Sequence, residues 1–386
     1  ASNYTMTVNV TAVNDAPTAS DNTVTTTEDN NHTFAASEFG FTDVDGDSLD
    51  HVTIATLPST GTLYLSGVAV SAGDQISAAN ISNLVFTPAA NGNGSPYDTF
   101  TFSVNDGTTD SASNYTMTVN VTAVNDAPTV VNDTDSVTEG GTVTETTNSA
   151  GTVISDDSDT DGDSLSVSGT VTQTSATDTS GSSITINSPN SASVGSAVTG
   201  YYGQLTLNSN GTYSYVANQS NADALDSGES ATDVFTFTVS DGTTTTSSTI
   251  TFTVNGANDA PTASDNTVTT TEDNNHTFAA SEFGFTDVDG DSLDHVTIAT
   301  LPSTGTLYLS GVAVSAGDQI SAANISNLVF TPAANGNGSP YDTFTFSVND
   351  GTTDSASNYT MTVNVTAVND APTASDNTVT TTEDNN

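Results

Sequence analysis

The stretch ASNYTMTVNVTAVNDAPT occupies residues 1–18, returns at 112–129 and appears again at 356–373. A fixed long period signals an array of stacked modules, so it is read before any single motif. Working outward from it, residues 15–125 form one module that reappears almost letter for letter as 259–369, within a repeat taken as 258–369, and a different module, 126–257, lies between the copies. Residues 1–14 read as the last strand of a preceding module and 370–386 as the first strand of a following one. Because residues 1–31 match 356–386, the chain is expected to be a piece of a much longer protein. Interchangeable copies suit a spacer better than a catalytic domain, since stability in such an array is close to a sum of unit and neighbour contributions.

Within the repeated stretch, apolar and polar residues alternate with period two. Tyr115, Met117, Val119 and Val121 share one face, and Thr116, Thr118 and Asn120 the other, which is the pattern of a half-buried strand. Phe100, Phe102 and Val104 repeat it in DTFTFSV, as do Leu63 and Leu65 in GTLYL. Such runs recur every 8 to 12 residues between Gly, Pro, Asn and Asp clusters, and the middle module continues them in YGQLTLN, GTYSYVA, DVFTFTV and STITFTV. The expectation is an all-β chain of tandem Ig-like or cadherin-like antiparallel β-sandwich modules, about seven strands each, in an elongated array. The segment NADALDSGES is expected to hold at most one helical turn.

The charge balance is one-sided: 46 Asp and Glu, no Lys, no Arg and no Cys. Lys and Arg normally supply about half of the ~25% of residues that are charged, so salt bridges are expected to be absent. Repulsion from phosphate opposes nucleic-acid binding and attraction to anionic lipid. No run of ~18 apolar residues marks a membrane span and no basic, then apolar, leader is visible, so any export signal is expected elsewhere. Without cysteine there are no disulfides, and without lysine no Lys–Asn cross-links, which leaves metal ions as the local staple and the natural counterion.

The acidic residues gather at the module ends and in one internal turn. In the first copy they are Asn14, Asp15, Glu28, Asp29, the turn Asp43-Val-Asp45-Gly-Asp47, Asn105 and Asp106. In the middle module they are Asn125, Asp126, Glu139, the run Asp156, Asp157, Asp159, Asp161 and Asp163, and Asp241. The second copy supplies Asn258, Asp259, Glu272, Asp273, Asp287, Asp289, Asp291, Asn349 and Asp350, followed by Asn369 and Asp370. Calcium takes six to eight oxygens, and alternate Asp residues bent by a Gly aim several carboxylates at one point. An isolated Asp-Gly needs no more than a turn to explain it. Five carboxylates within eight residues, 156–163, repel one another by ~1 kcal/mol per close pair even in water, and with no basic side chain in the chain a cation is the remaining partner. The run is not an EF-hand, because Ser168 stands where that loop requires Glu.

These motifs carry a family resemblance. TxxEDxxxxF, FTDVDGDSL, LPxxGTL, YDTFTFSVNDG and VNDAPT make the modules 15–125 and 258–369 resemble the bacterial cadherin-like repeats of giant type I secreted adhesins. VTEGG, DTDGDSLSV, YGQLTLNSNGTYSY and FTFTVSDG make the middle module similar to the VCBS-type repeat. The resemblance covers essentially the whole chain and implies an extracellular, non-catalytic protein that binds Ca2+ near its junctions through Asn14, Asp15, Glu28, Asp43, Asp45, Asp47 and Asp106. The Gly-Gly-x-Gly-x-Asp nonapeptides of such adhesins are absent, which implies their extender region.

Other signals are weak. His32, His51, His276 and His295 are two positions seen twice, without Cys or HxxxH spacing, and no G-x-S-x-G elbow frames a serine. Triplets such as Asn3-Tyr4-Thr5 and Asn31-His32-Thr33 are expected by chance in so Asn- and Thr-rich a chain. The leading expectation is a calcium-stiffened rod, bridged between adjacent repeats, that projects a distal binding domain for adhesion or biofilm formation. Two others stand beside it: modules assembling with other copies into a matrix filament, and sandwiches recognising sugars through exposed aromatics, with Tyr97, Tyr201 and Tyr202 as candidates.

Overall fold

In a computed structural model of the chain, residues 3–146 and 151–383 are described. They fall into two compact units, one of residues 1–130, 157–165 and 239–246, the other of 131–156, 166–238 and 247–386. The first unit holds the first sandwich with two loops of the middle module; the second holds the rest of the middle sandwich and the third.

The first sandwich has nine strands: β1 (Asn22–Thr27), β2 (His32–Thr33), β3 (His51–Thr56), β4 (Thr62–Leu65), β5 (Val68–Ala69), β6 (Gln75–Ser77), β7 (Leu84–Thr87), β8 (Gly94–Asn105) and β9 (Tyr115–Thr122). They form a five-stranded sheet in the order β1-β9-β8-β3-β6 and a four-stranded sheet in the order β2-β7-β4-β5. The period-two reading holds residue by residue: Met117, Val119 and Val121 are buried, as are Phe100, Phe102 and Val104. Phe39 packs edge-on against Phe102 at 4.8 Å. Each such ring contributes about 1.5–3 kcal/mol by leaving water.

Two features depart from expectation. β1 runs parallel to β9, Asn22 opposite Met117, so the sandwich is not purely antiparallel. Short 3-10 helices, which no apolar stripe announces, occupy Ala36–Phe39 and Ala78–Asn83 and bury one apolar side chain each, Phe39 and Ile81.

The middle sandwich adds β10 (Asp133–Thr138), β11 (Thr142–Glu145), β12 (Ser166–Thr177), β13 (Ser183–Ile184), β14 (Ser191–Ser193), β15 (Ala197–Thr199), β16 (Gln204–Leu207), β17 (Tyr213–Val216), β18 (Ser230–Ser240) and β19 (Thr245–Asn255). One sheet runs β10-β19-β18-β12-β13 with β14 beside β12, the other β11-β17-β16-β15. Its centre is the stacked pair Tyr215 and Phe252, ring centroids 4.1 Å apart. The expected helical turn in 221–230 is a set of hydrogen-bonded turns, with Ala222 and Asp223 both donating to the Gln219 carbonyl. The third sandwich repeats the first strand for strand, from β20 (Asn266–Thr271) to β28 (Tyr359–Thr366).

The repeated letters differ in pairing along the chain. YTMTVNV is strand at 115–121, where β8 and β1 flank it, but residues 3–14 form no strand and Tyr4, Met6, Val8 and Val10 are exposed. Residues 370–383 likewise form no strand. A strand exists by pairing, and among the described residues neither segment lies in a ladder. Among the described residues histidines hydrogen-bond to carboxylates: His32 Nε2 lies 3.2 Å from Glu38 Oε2, and His51 Nδ1 2.8 Å from Asp50 Oδ2, with both pairs repeated at His276 and His295.

Candidate metal centres

At each module start a linker Thr is tied to the acidic turn by a short backbone bridge: Thr18 to Thr42, Thr129 to Ser158, Thr262 to Thr286. The glycine of each turn, Gly46, Gly162 or Gly290, takes a positive φ of 80–87° that side-chain-bearing residues avoid. That bend lets the first Asp of each turn cap its own loop. Asp43 Oδ1 accepts from the N–H groups of Asp45 and Asp47 at 2.8 and 3.1 Å, and Asp159 Oδ1 does the same for Asp161 and Asp163 at 2.9 and 3.2 Å.

A second clamp comes from the linker asparagine. Asn14 Nδ2 donates to Asp106 Oδ2 at 3.0 Å, Asn125 to Asp241 at 2.9 Å and Asn258 to Asp350 at 3.1 Å. The next linker residue reaches the turn, the N–H of Asp15, Asp126 and Asp259 donating to Asp45, Asp161 and Asp289 at 2.7, 2.8 and 2.7 Å. The Asn14 amide and the Thr109 N–H hold Asp106 below the usual carboxylate range. Asp241 is lowered by the Thr244 hydroxyl and Asn125. Burial pushes Asp350 up, but the N–H groups of Thr353 and Thr352 together with Asn258 outweigh it and leave it lowered.

Other carboxylates at the joints crowd one another despite these hydrogen bonds. One oxygen from each of Asp43, Asp45 and Asp47 lies within 4.8 Å of the others, and the same is true of Asp159, Asp161 and Asp163 and of Glu139, Asp259 and Asp289. Burial raises the Asp126 pKa, with repulsion from Asp161, Asp29, Glu28 and Asp159 adding to it. Burial pushes Glu139 up to about 7 against the hydrogen bond from Ala257 N, and the charges of Asp259, Asp289 and Asp223 push the same way. Asp289 and Asp291 are raised too, chiefly by burial.

The donor set fits a hard cation. Buried carboxylate oxygens without a hydrogen-bond partner sit on Asp43, Asp126, Glu139, Asp159, Asp287 and Asp289, all at the joints. A buried charged oxygen left unpaired is costly, and oxygen-only ligands of this kind suit calcium.

Other predicted ligands are engaged in hydrogen bonds. Glu28 and Glu272 are 2% and 4% exposed, and both oxygens of each are engaged, by Val124 N and Asn93 in one and by Val368 N and Asn337 in the other. They clasp the chain as it leaves the sandwich. The Val124 N–H, with Asn93, lowers the Glu28 pKa against burial. Asp29 and Asp273 adopt positive φ and accept from Asn91 N and Asn335 N. Asn105 and Asn349 shape their own turns, accepting from Gly107 N and Gly351 N at 2.6 and 2.7 Å. Within the run of five, Asp159, Asp161 and Asp163 come together, while Asp156 is exposed and neither it nor Asp157 belongs to that triplet. Asn369 and Asp370 are exposed.

Sequence reasoning missed Asp98, Asp233 and Asp342, the Asp at the head of each long apolar strand. Burial raises Asp98, yet the N–H groups of Gly61, Ser59, Thr60 and Thr99 hold it at about 2. Its only signal was the Asp inside YDTFTF. Of the three aromatic candidates, Tyr202 is 4% exposed and the Tyr97 hydroxyl is engaged by Ala89 N at 3.1 Å, which leaves Tyr201 half-buried at the surface.

A family described as a bacterial Ig domain matches residues 14–122 and 258–366, and one described as a bacterial cadherin-like domain matches 125–256. The chain therefore belongs to the bacterial Ig-domain family, with a cadherin-like domain between two Ig domains. The cadherin-like label thus falls on the middle module and the Ig label on the repeated one. Domains of these families are adhesion-type or structural modules typical of extracellular proteins, typically non-catalytic, and the cadherin-like kind typically binds calcium. Among the described residues no helix is long and apolar enough to cross a membrane.

No curated protein matches the chain. Among solved structures, Drosophila N-cadherin EC1-4 is 10% identical over 90% of this chain and 74% of that one, with a TM-score of 0.33. Mouse clustered PcdhgC3 EC1-3 is 12% identical over 80% and 89%, with a TM-score of 0.32. An endo-fucoidan hydrolase from glycoside hydrolase family 107 is 18% identical over 92% of this chain at a TM-score of 0.23, and the chain spans 45% of its length. Likenesses this loose do not bear on function.

Proposed function

We propose that this chain is the calcium-rigidified extender region of a giant extracellular bacterial adhesin, projecting a distal binding domain for cell adhesion or biofilm formation. Its modules run 15–125, 126–257 and 258–369, the middle one being of VCBS type, with 1–14 and 370–386 belonging to flanking repeats. One observation carries the reading. Glu139 belongs to the middle sandwich, whereas Asp259 and Asp289 belong to the linker and the third, and the three present oxygens within 4.8 Å of one another. A bound calcium ion would supply the positive charge that this chain lacks. Glu139, Asp259 and Asp289 would hold it at the second joint, Asp126, Asp159 and Asp161 at the first, and Asp43, Asp45 and Asp47 at the head of the first Ig domain.

Repulsion among the acidic groups of a joint opposes its closed arrangement, and a cation reverses that sign. Stiffness then becomes a function of calcium concentration. Small-angle scattering on the chain in calcium and in EGTA tests this: the maximum dimension should become better defined and the flexibility lower with calcium, and identical curves would sink the reading.

A further inference from the structure

In a chain carrying 46 carboxylates, one groove is strongly polar and yet lined by none of them. It lies on the middle sandwich, has a volume of about 300 Å3, and is walled by side-chain amides and hydroxyls, among them Gln173, Asn187, Asn190, Gln219 and Asn221, around Tyr201. That is at the small end of ligand-site volumes.

The groove is held in shape from below. Asp233 is fully buried, and its two oxygens accept from Tyr201 N at 2.9 Å, Tyr202 N at 2.9 Å, Gly203 N at 3.1 Å, the Tyr215 hydroxyl at 2.8 Å and Gln173 Nε2 at 3.2 Å. Both oxygens are thereby engaged in holding the turn that carries Tyr201. The Tyr201 ring stands edge-on to Tyr202, centroids 5.0 Å apart, and the Tyr202 hydroxyl donates to the Thr177 carbonyl at 2.9 Å. A half-buried aromatic face is thus braced by a buried one.

The amides are partly committed and partly available. Asn190 donates one N–H to the Thr199 carbonyl at 2.8 Å and Asn221 one to the Tyr201 carbonyl at 3.1 Å, which fixes both side chains while the rest of each amide is unengaged. The Ig domains use the same buried-Asp device at Asp98, but the pocket beside that turn is lined by Leu57, Pro58, Leu63 and Val70 and has no aromatic residue. The pocket beside the Asp98 turn thus lacks the amide walls of the groove on the middle domain.

We propose that this groove binds a neutral oligosaccharide, with the apolar face of a sugar ring on Tyr201 and its hydroxyls among the Asn and Gln amides. Amides both donate and accept, which is what a hydroxyl requires, and an aromatic face complements the C–H face of a pyranose. Sulfated or uronate-bearing glycans are repelled by a net charge of −46.

The test uses the full chain in calcium-containing buffer, with dextran, mannan and galactan oligosaccharides as neutral probes and an alginate oligosaccharide as the acidic one. Binding is read by saturation-transfer NMR and calorimetry. At least one neutral probe should bind, Tyr201→Ala should weaken it about tenfold, Tyr201→Phe should keep it, and Asn187→Asp should weaken it with no change in thermal unfolding. The proposal is overturned if no neutral probe binds, if Tyr201→Ala and Asn187→Asp leave affinity unchanged, or if alginate binds equally well. None of these readouts depends on whether calcium stiffens the joints.

Discussion

Glu139→Gln separates a metal ligand from an ordinary linker contact, because the two roles predict opposite signs. Glutamine keeps the shape and the acceptor that Glu139 Oε1 offers to Ala257 N at 2.9 Å, while removing the charge that faces Asp259 and Asp289. In the wild-type chain burial and those charges raise Glu139 from 4.5 to about 7. An acid whose folded pKa is raised binds its proton more tightly folded than unfolded, so metal-free stability falls as pH climbs from about 4.5 to about 7. The full shift corresponds to roughly 3 kcal/mol at 1.36 kcal/mol per unit, which solvent screening at a partly exposed joint reduces to about 1–2 kcal/mol. Above pH 7 in EGTA the substitution should therefore stabilise the unit containing the middle and third domains by that amount, raising its Tm by several degrees. Calcium at a hundred times its Kd stabilises a folded protein by about 2.7 kcal/mol, and the variant should lose most of that gain at this joint. Calorimetric unfolding of both proteins in EGTA and in calcium gives all four numbers. A variant less stable in EGTA with an undiminished calcium response would refute the reasoning and reduce Glu139 to a cap on the linker.

Asp98→Asn should cost the first Ig domain about 3 kcal/mol in denaturant unfolding, because an amide cannot replace a carboxylate accepting from four backbone N–H groups. The wild-type contribution is present above pH about 4 and is lost as pH falls toward the folded pKa of about 2, so the two proteins should converge in acid. Gly61→Ala places a Cβ 2.1 Å from the Phe86 ring and should destabilise the same domain by about 1–3 kcal/mol, measured by thermal unfolding. Asn258→Ala removes the clamp on Asp350 and the bond to the Asp259 carbonyl, costing roughly 1 kcal/mol per bond in calcium-free unfolding.

Much of this protein was legible in the order of its residues. Period-two alternation fixed which side chains of β8 and β9 face inward, because successive strand residues point to opposite sides whatever the sheet around them. The repeat of ASNYTMTVNVTAVNDAPT fixed the modular plan, and the D-x-D-G-D spacing brought Asp43, Asp45 and Asp47 together, since a single turn determines where they point. Spacing did not show that Asp156 sits in a neighbouring bend outside the Asp159, Asp161 and Asp163 triplet.

Only the tertiary structure decided the contacts that span the chain. Glu139 meets Asp259 and Asp289 because the linker is led back past the end of β10, and no local pattern carries that information. Asp98 and Asp233 read as strand-edge polar residues until sheet packing places them beneath turns 30 or more residues away. The parallel pairing of β1 with β9 is likewise a property of the assembled sheet. Local spacing sets the geometry of one turn or one strand, whereas the charge environment of a carboxylate depends on which distant segments the sheets bring beside it.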